Sequence, residues 1–212
     1  MGGGRDGFAT LPLALMMVAL AGVIVLARLA PGSPDDLRQA KLTHAKMAAL
    51  ERALITFAAL QGRLPCPAAL AQGDEAPCAD AVVSLGGVPT ASLGLEPTAG
   101  RDAWGRLFTY GVTTALARPG GWTGGAAGAV IVRPRPGVTK PKAWVLVSHG
   151  ENGRGARRAN ATLVDDPAGP RERDNLGRPP DGDMPGFAAG PHDGTEPGGE
   201  GYDDLLRAGD PP

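Results

Sequence analysis

Aromatic side chains are scarce in this sequence, and the charges of the two signs nearly cancel. Aromatics make up 4% of the 212 residues, and the net charge is −1. Because aromatic side chains supply much of the buried area of most cores, we expect a modest core. The balanced charge gives no reason to expect nucleic acid as a partner. Glycine and proline are abundant instead, with 33 and 21 copies, which predicts one loop-rich globular domain with appendages.

Only two cysteines are present, Cys66 and Cys78, and they bracket a short polar loop. In an exported domain we expect a disulfide between them, which would contribute about 3 kcal/mol. In a cytosolic protein both would be free thiols, and the apolar segment near the N-terminus makes that alternative the weaker one. There is no Cys-x-x-Cys pair or Cys/His cluster in the sequence to indicate zinc.

Charge is absent from residues 8–27, although Arg5 precedes this run and Arg28 ends it. About 20 apolar residues are enough to cross a bilayer, whereas a signal peptide has an apolar core of about 7–15 residues. The run therefore predicts a membrane helix over residues 8–30, with cleavage after Ala30 as the weaker alternative. The basic residue before the run favours a cytoplasmic N-terminus and export of the rest.

A strong helix start follows the apolar run. Ser33 can cap a helix, Pro34 suits the first helical position, and the two aspartates that follow suit the positive end of the dipole. Apolar residues then recur at three- and four-residue steps until Gly62, namely Leu37, Ala40, Met47, Leu50, Leu54 and Phe57. The pattern predicts an amphipathic helix over residues 33–61, with His44 packed on or near its apolar stripe.

Three later segments have the pattern of β-strands. Residues 106–113 alternate in polarity, while 129–132 and 143–148 are short apolar runs. Their connections lack helical periodicity, so we expect antiparallel pairing. The predicted fold class is α+β, with a long N-terminal helix, membrane-spanning and then amphipathic, packed on a small antiparallel sheet. Residues 157–199 are rich in glycine and proline and are expected to be mostly irregular, followed by an edge strand at 202–206.

Four motifs in order resemble those of type IV pilins and type II secretion pseudopilins. A short polar leader, MGGGRDG, meets Phe8 without an apolar ramp, and the head contains LPCPA at 64–68, GGVPTASLGLEP at 86–97 and D-x-W-G at 102–105. The resemblance implies that the prepilin peptidase cuts after Gly7 and methylates Phe8. It also implies packing with other pilins or pseudopilins through the N-terminal helix.

One position departs from the family. Relatives usually carry Glu at the fifth mature position, where its carboxylate pairs with the free amine of a neighbouring subunit, but this chain has Pro12. A charge in the membrane is costly unless it is paired. Among relatives, loss of this Glu is associated with minor subunits, particularly those at the tip of the filament, so the resemblance implies a minor subunit.

Side chains that could carry chemistry are few. Asp102 to Gly105 predicts a tight turn with Trp104 as an anchor in the core. Ser148 and His149 are the pair that a hydrolase would use, but adjacent residues on a strand point to opposite faces, so they are poorly placed to share a proton. We expect no catalytic residues.

The C-terminal region is acidic, and some pseudopilins hold calcium in a C-terminal loop. The candidate ligands, all with carboxylate oxygens that suit a hard cation, are Asp165, Asp166, Asp174, Asp203 and Asp204. The spacing of an EF-hand is missing, so a solvated loop without a cofactor is the favoured alternative.

The sequence thus predicts a non-catalytic structural subunit of a type IV pilus or type II secretion assembly in the bacterial inner membrane, with its head in the periplasm. The alternative is a periplasmic binding or hydrolytic domain that uses residues 8–29 only as a tether. The expected parts are a leader (1–7), a membrane and assembly helix (8–30), an amphipathic helix (33–61), a pilin-like head (62–156) and an acidic, partly disordered C-terminal region (157–212).

Overall fold

A computed structural model describes residues 16, 34–69, 73–134, 140–158, 160, 162, 164, 175, 186–189 and 204–212. The chain divides into two compact units, Met1–Leu37 and Arg38–Pro212. Of the first unit only Met16 and residues 34–37 are described, so the predicted leader and the predicted membrane helix lie outside the described residues, Met16 excepted. Within the described part, no helix has both the length and the apolar character needed to cross a membrane.

One long helix, α1 (Pro34–Gln61), matches the predicted amphipathic helix closely. Its buried stripe consists of Thr43, Met47, Leu50, Leu54 and Ala58. Two predicted positions were wrong. Leu37 is 58% exposed and His44 is also exposed. His44 points away from the stripe because the buried side chains of its turn are those of Thr43 and Met47.

The strands form two sheets. They are β1 (Val83–Gly86), β2 (Thr109–Thr113), β3 (Val130–Pro134), β4 (Lys140–Lys142), β5 (Trp144–Ser148), β6 (Gly186–Ala189) and β7 (Leu205–Gly209). The first sheet has the order β1-β2-β5-β7 and is antiparallel throughout. The second has the order β4-β3-β6, and β3 pairs with β6 in parallel. The α+β class is therefore confirmed, but the single antiparallel sheet is replaced by two sheets, one of them mixed.

The four-stranded sheet is buried on both faces, and β5 shows why. Trp144 and Leu146 pack with the α1 stripe, whereas Val145 and Val147 pack with the second sheet. Side chains on a strand alternate between faces, so the unbroken apolar run at residues 144–147 of β5 is what a doubly covered strand requires. Phe187, in β6, is fully buried in the second core.

Glycine is needed where the two sheets approach. A β-carbon on Gly111, in β2, would lie 2.7 Å from Leu85 Cδ2 and 3.0 Å from Val145 Cγ1. Both distances are shorter than ordinary contacts between carbon atoms, so a larger residue here would require the Leu85 and Val145 side chains to shift.

The strands differ from the predictions in several places, and β1 and β4 were not predicted at all. The first predicted strand begins at Thr109 because Leu107 instead pairs with Arg101 and Arg157 in isolated bridges. The expected C-terminal edge strand is present but is shifted to Leu205–Gly209. Strand β6 lies inside the segment that was expected to be irregular, and it forms because β3 offers a free edge beside the second core.

Candidate functional site

The exit of α1 is the first place where several predicted residues meet. Gly62 has φ 65°, and its N–H donates to the Ala58 carbonyl at 2.9 Å. A left-handed backbone at this position favours glycine and ends the helix as predicted. The next segment then joins the head, since the Leu64 N–H donates to the Leu116 carbonyl at 2.9 Å.

The predicted disulfide between Cys66 and Cys78 is present, and the loop that it closes contains a carboxylate clamp. Arg63 donates to both carboxylate oxygens of Glu75, at 2.7 and 3.1 Å, and the Cys66 N–H donates to Glu75 at 2.8 Å. The hydrogen bond to Glu75 raises the pKa of Arg63. The Arg63 guanidinium also lies over the Phe57 ring, 5.2 Å from its centroid. The disulfide and the clamp together fix how the chain leaves α1.

A second set of contacts ties the far side of the disulfide to the first sheet. The Ala79 N–H donates to Ser84 Oγ at 3.0 Å, and Ser84 Oγ lies 3.1 Å from Thr114 Oγ1. The Thr114 N–H donates to the Val82 carbonyl at 3.0 Å. The loop at 79–82 is therefore held at both ends, and it projects Val82, which is 57% exposed.

The predicted turn at Asp102–Gly105 is present, and its aspartate is buried. The Gly105 N–H donates to the Asp102 carbonyl at 3.2 Å, with Gly105 at φ 83°. The Asp102 carboxylate accepts from the Arg106 N–H and from Ser148 Oγ, each at 2.8 Å. Burial raises the pKa of Asp102, and these two hydrogen bonds oppose the rise. Trp104 is half-buried against the first core rather than enclosed in it.

Ser148 and His149 have separate partners on opposite faces of the first sheet. Ser148 donates to Asp102 on the α1 face, whereas His149 Nε2 lies 3.2 Å from Thr109 Oγ1. His149 Nδ1 is 3.8 Å from Asp204 Oδ2, which is too long for a hydrogen bond. Burial lowers the pKa of His149 to about 4, so its imidazole is neutral at pH 7. As arranged, the two side chains cannot pass a proton between them.

Of the five calcium candidates, only Asp204 lies among the described residues. It is 2% exposed and accepts a hydrogen bond from Asn175 Nδ2 at 2.7 Å. No group of three His, Cys, Asp or Glu side chains in the described ranges is arranged to hold a metal ion. The predicted processing residues Gly7 and Phe8, and the departure at Pro12, are also outside those ranges.

A groove on α1 was not anticipated from the sequence. It lies between α1 and residues 98–105 and has a volume of about 660 Å³. Leu42, Ala45 and Ala49 contribute its apolar side. Lys46 also lines the groove and joins its two walls by donating to the Thr98 carbonyl at 3.2 Å and to the Arg101 carbonyl at 2.8 Å. Helical spacing alone marks these residues only as a flank of α1, because the opposite wall comes from a distant segment.

Comparisons with protein-family models, with curated proteins and with solved structures yield no match. A function for this chain must therefore be argued from its own residues.

Proposed function

We propose that this chain is a structural subunit without catalytic activity of its own, a minor pilin or pseudopilin of a type IV pilus or type II secretion assembly. The observation that carries the proposal is the order of its parts. A polar leader meets Phe8, a charge-free run follows, and that run leads into α1, whose stripe packs on a sheet. An apolar run that precedes an amphipathic helix in the sequence suits a subunit that is first held in a membrane and then packed beside other subunits.

The head contacts also favour a structural role over the tethered hydrolase. Ser148 and His149 are both buried, and each is engaged away from the other. The exit of α1 is braced by the disulfide and by the clamp at Glu75, which suits a helix that must transmit load to its head.

Mass spectrometry of the mature N-terminus tests the proposal. We expect a chain that begins with N-methylated Phe8 when the protein is produced with a prepilin peptidase. The variant Gly7→Val should keep its leader, because a branched side chain replaces the residue at the cleavage site, whereas the matched control Gly3→Val should be processed normally. A mature chain that begins at Pro31 would overturn the proposal.

A helix replacement separates assembly from tethering. An assembling helix needs its own packing surface, which here includes the small residues Ala14, Ala19, Ala21 and Gly22. Replacing residues 9–27 with leucine, so that Phe8 is retained, should abolish incorporation into filaments at a normal protein level. Full function with the leucine span would support the tethered domain instead.

A further inference from the structure

The groove on α1 combines an apolar wall with positive charge. Leu42, which lines it, is 46% exposed, and Arg101, which also lines it, has a buried Nε without a hydrogen-bond partner among the described residues. Asp102 is the acidic side chain in the lining, but its carboxylate is already engaged by the Arg106 N–H and by Ser148. The matching ligand is therefore a carboxylate next to a short apolar side chain.

The surroundings of the groove extend its positive charge. Arg38 lies one helical turn before Leu42, and Arg52 lies three residues after Ala49, and both arginines are exposed. Charges arranged in this way favour the approach of an anionic surface and disfavour a cationic one.

The loop at 79–82 presents the complementary pair. Asp80 and Val82 are exposed and are separated by one residue, so a carboxylate and a branched apolar side chain leave the surface together. The disulfide, Ser84 and Thr114 hold this loop in place. A loop that is fixed before binding loses little conformational entropy when it docks.

The groove and the loop lie at opposite ends of β2. Asp102–Gly105 precedes this strand, whereas Val82 bonds to Thr114 immediately after it. One copy can thus insert its loop into the groove of a second copy while its own groove remains open. Such a contact joins two different surfaces, so two neighbouring copies of a low-copy subunit are enough to form it, and further copies would give a ring or an open filament according to the rotation between them.

We propose that the groove receives the Asp80–Val82 loop of a second copy of this chain, with the carboxylate beside Arg101 and Val82 against Leu42. The contact uses no residue of the N-terminal run, so it goes beyond the proposed function. Docking of one short loop covers a small area, and protein interfaces that bury well below about 1,200 Å² of surface are weak and transient. The contact therefore requires neighbours that are already held side by side, where tethering raises the effective concentration to about the millimolar range.

Photo-cross-linking of the full chain in membranes, where neighbouring copies are held side by side, tests this contact. A benzoylphenylalanine in place of Leu42 should yield a dimer whose cross-linked peptide contains residues 79–82. The same probe in place of Leu60, which is 76% exposed at the end of α1, is the matched control and should not capture that peptide. Capture of a different segment or of a different protein by the Leu42 probe would overturn the proposal.

Charge exchange provides a second readout. Asp80→Arg and Val82→Glu change exposed positions and should each lower the yield of the Leu42 cross-link at least tenfold. Adding Arg101→Glu to the Asp80→Arg chain should restore the yield, because the two charges are then exchanged across the contact. Unchanged cross-linking in both single variants would overturn the proposal. Neither result depends on processing at Gly7, so this test and that of the proposed function can fail separately.

Discussion

At the scale of single residues, Gly209 shows how tightly the C-terminal strand is packed. A β-carbon at this position would overlap the Trp144 indole, which is fully buried. Overpacking a core costs about 1–3 kcal/mol, so Gly209→Ala should lower the free energy of unfolding by about 2 kcal/mol, as measured by urea denaturation. In a Trp144→Leu background the same substitution should cost much less, and an equal cost in both backgrounds would contradict the overlap.

His149 makes the stability of the head depend on pH. Burial lowers its pKa to about 4 in the folded state, and the charge of Arg106 acts in the same direction. In the unfolded chain the pKa is about 6.5, so between these values the unfolded state binds a proton that the folded state does not. This contribution to stability is fully present above pH 6.5 and is lost as the pH falls towards 4, by at most about 3 kcal/mol.

Urea denaturation between pH 7.5 and pH 4 measures this dependence. The variant His149→Gln should show a flatter profile of unfolding free energy against pH than the parent chain in this window.

Asp102 acts with the opposite sign, because burial raises its pKa and the folded state therefore binds a proton more readily than the unfolded chain. In the Asp102→Asn variant, the free energy of unfolding should accordingly fall between pH 6.5 and 4 by as much as in the parent chain, or by more. Identical profiles for His149→Gln and the parent chain would show that His149 is not the group responsible.

At the scale of elements, the disulfide stabilises the exit of α1. Cys66→Ser should lower the free energy of unfolding by about 3 kcal/mol under oxidising conditions, since it releases a loop of the unfolded chain from its cross-link and frees the segment that carries Glu75. Reduction of the parent chain should produce the same loss, while reduction of the variant should change nothing further. Alkylation of both thiols in the untreated native protein would show that the bridge does not form.

The strands differ in how far their own sequences determine their place in a sheet. Strand β5 belongs between two layers because its residues 144–147 are all apolar, whereas β6 pairs with β3 alone among the described strands. A short strand such as β6 is stable when its apolar face is covered. Its Phe187 side chain packs among the valines of the second core.

At the scale of the whole molecule, Pro12 bears on how many copies a filament contains. In the proposed filament, each subunit would need a carboxylate for the amine of its neighbour, and no acidic residue occurs between Phe8 and Ala30. A filament built mostly of this chain would leave one unpaired amine per subunit, at several kcal/mol each. We therefore predict a low-copy component at the tip or at initiation.

Quantitative mass spectrometry of purified filaments measures the copy number. Pro12→Glu should be tolerated and should increase the number of copies relative to the major subunit. Filaments in which the parent chain is the dominant subunit would contradict the low copy number, although they would leave the pilin proposal intact.

Local patterns in the sequence were enough to predict α1 with its terminal Gly62, the disulfide, the turn at Asp102 and an apolar strand at 144–148. Each of these depends on nearby residues, through helical spacing, a left-handed glycine, or two cysteines separated by a short loop. The same reasoning misplaced Leu37 and His44, because the width of a buried stripe depends on what covers it.

Only the tertiary structure decided how distant segments combine. The parallel pairing of β3 with β6, the bond from Ser148 to Asp102 and the groove between Leu42 and Arg101 each join residues that are far apart in sequence. No local period encodes such contacts, since they arise when two separate apolar surfaces must be covered at once. The sequence by itself therefore determined α1, the apolar strand β5 and the covalent link, while packing determined the second sheet, the partners of the buried polar groups and the surface offered to a neighbour.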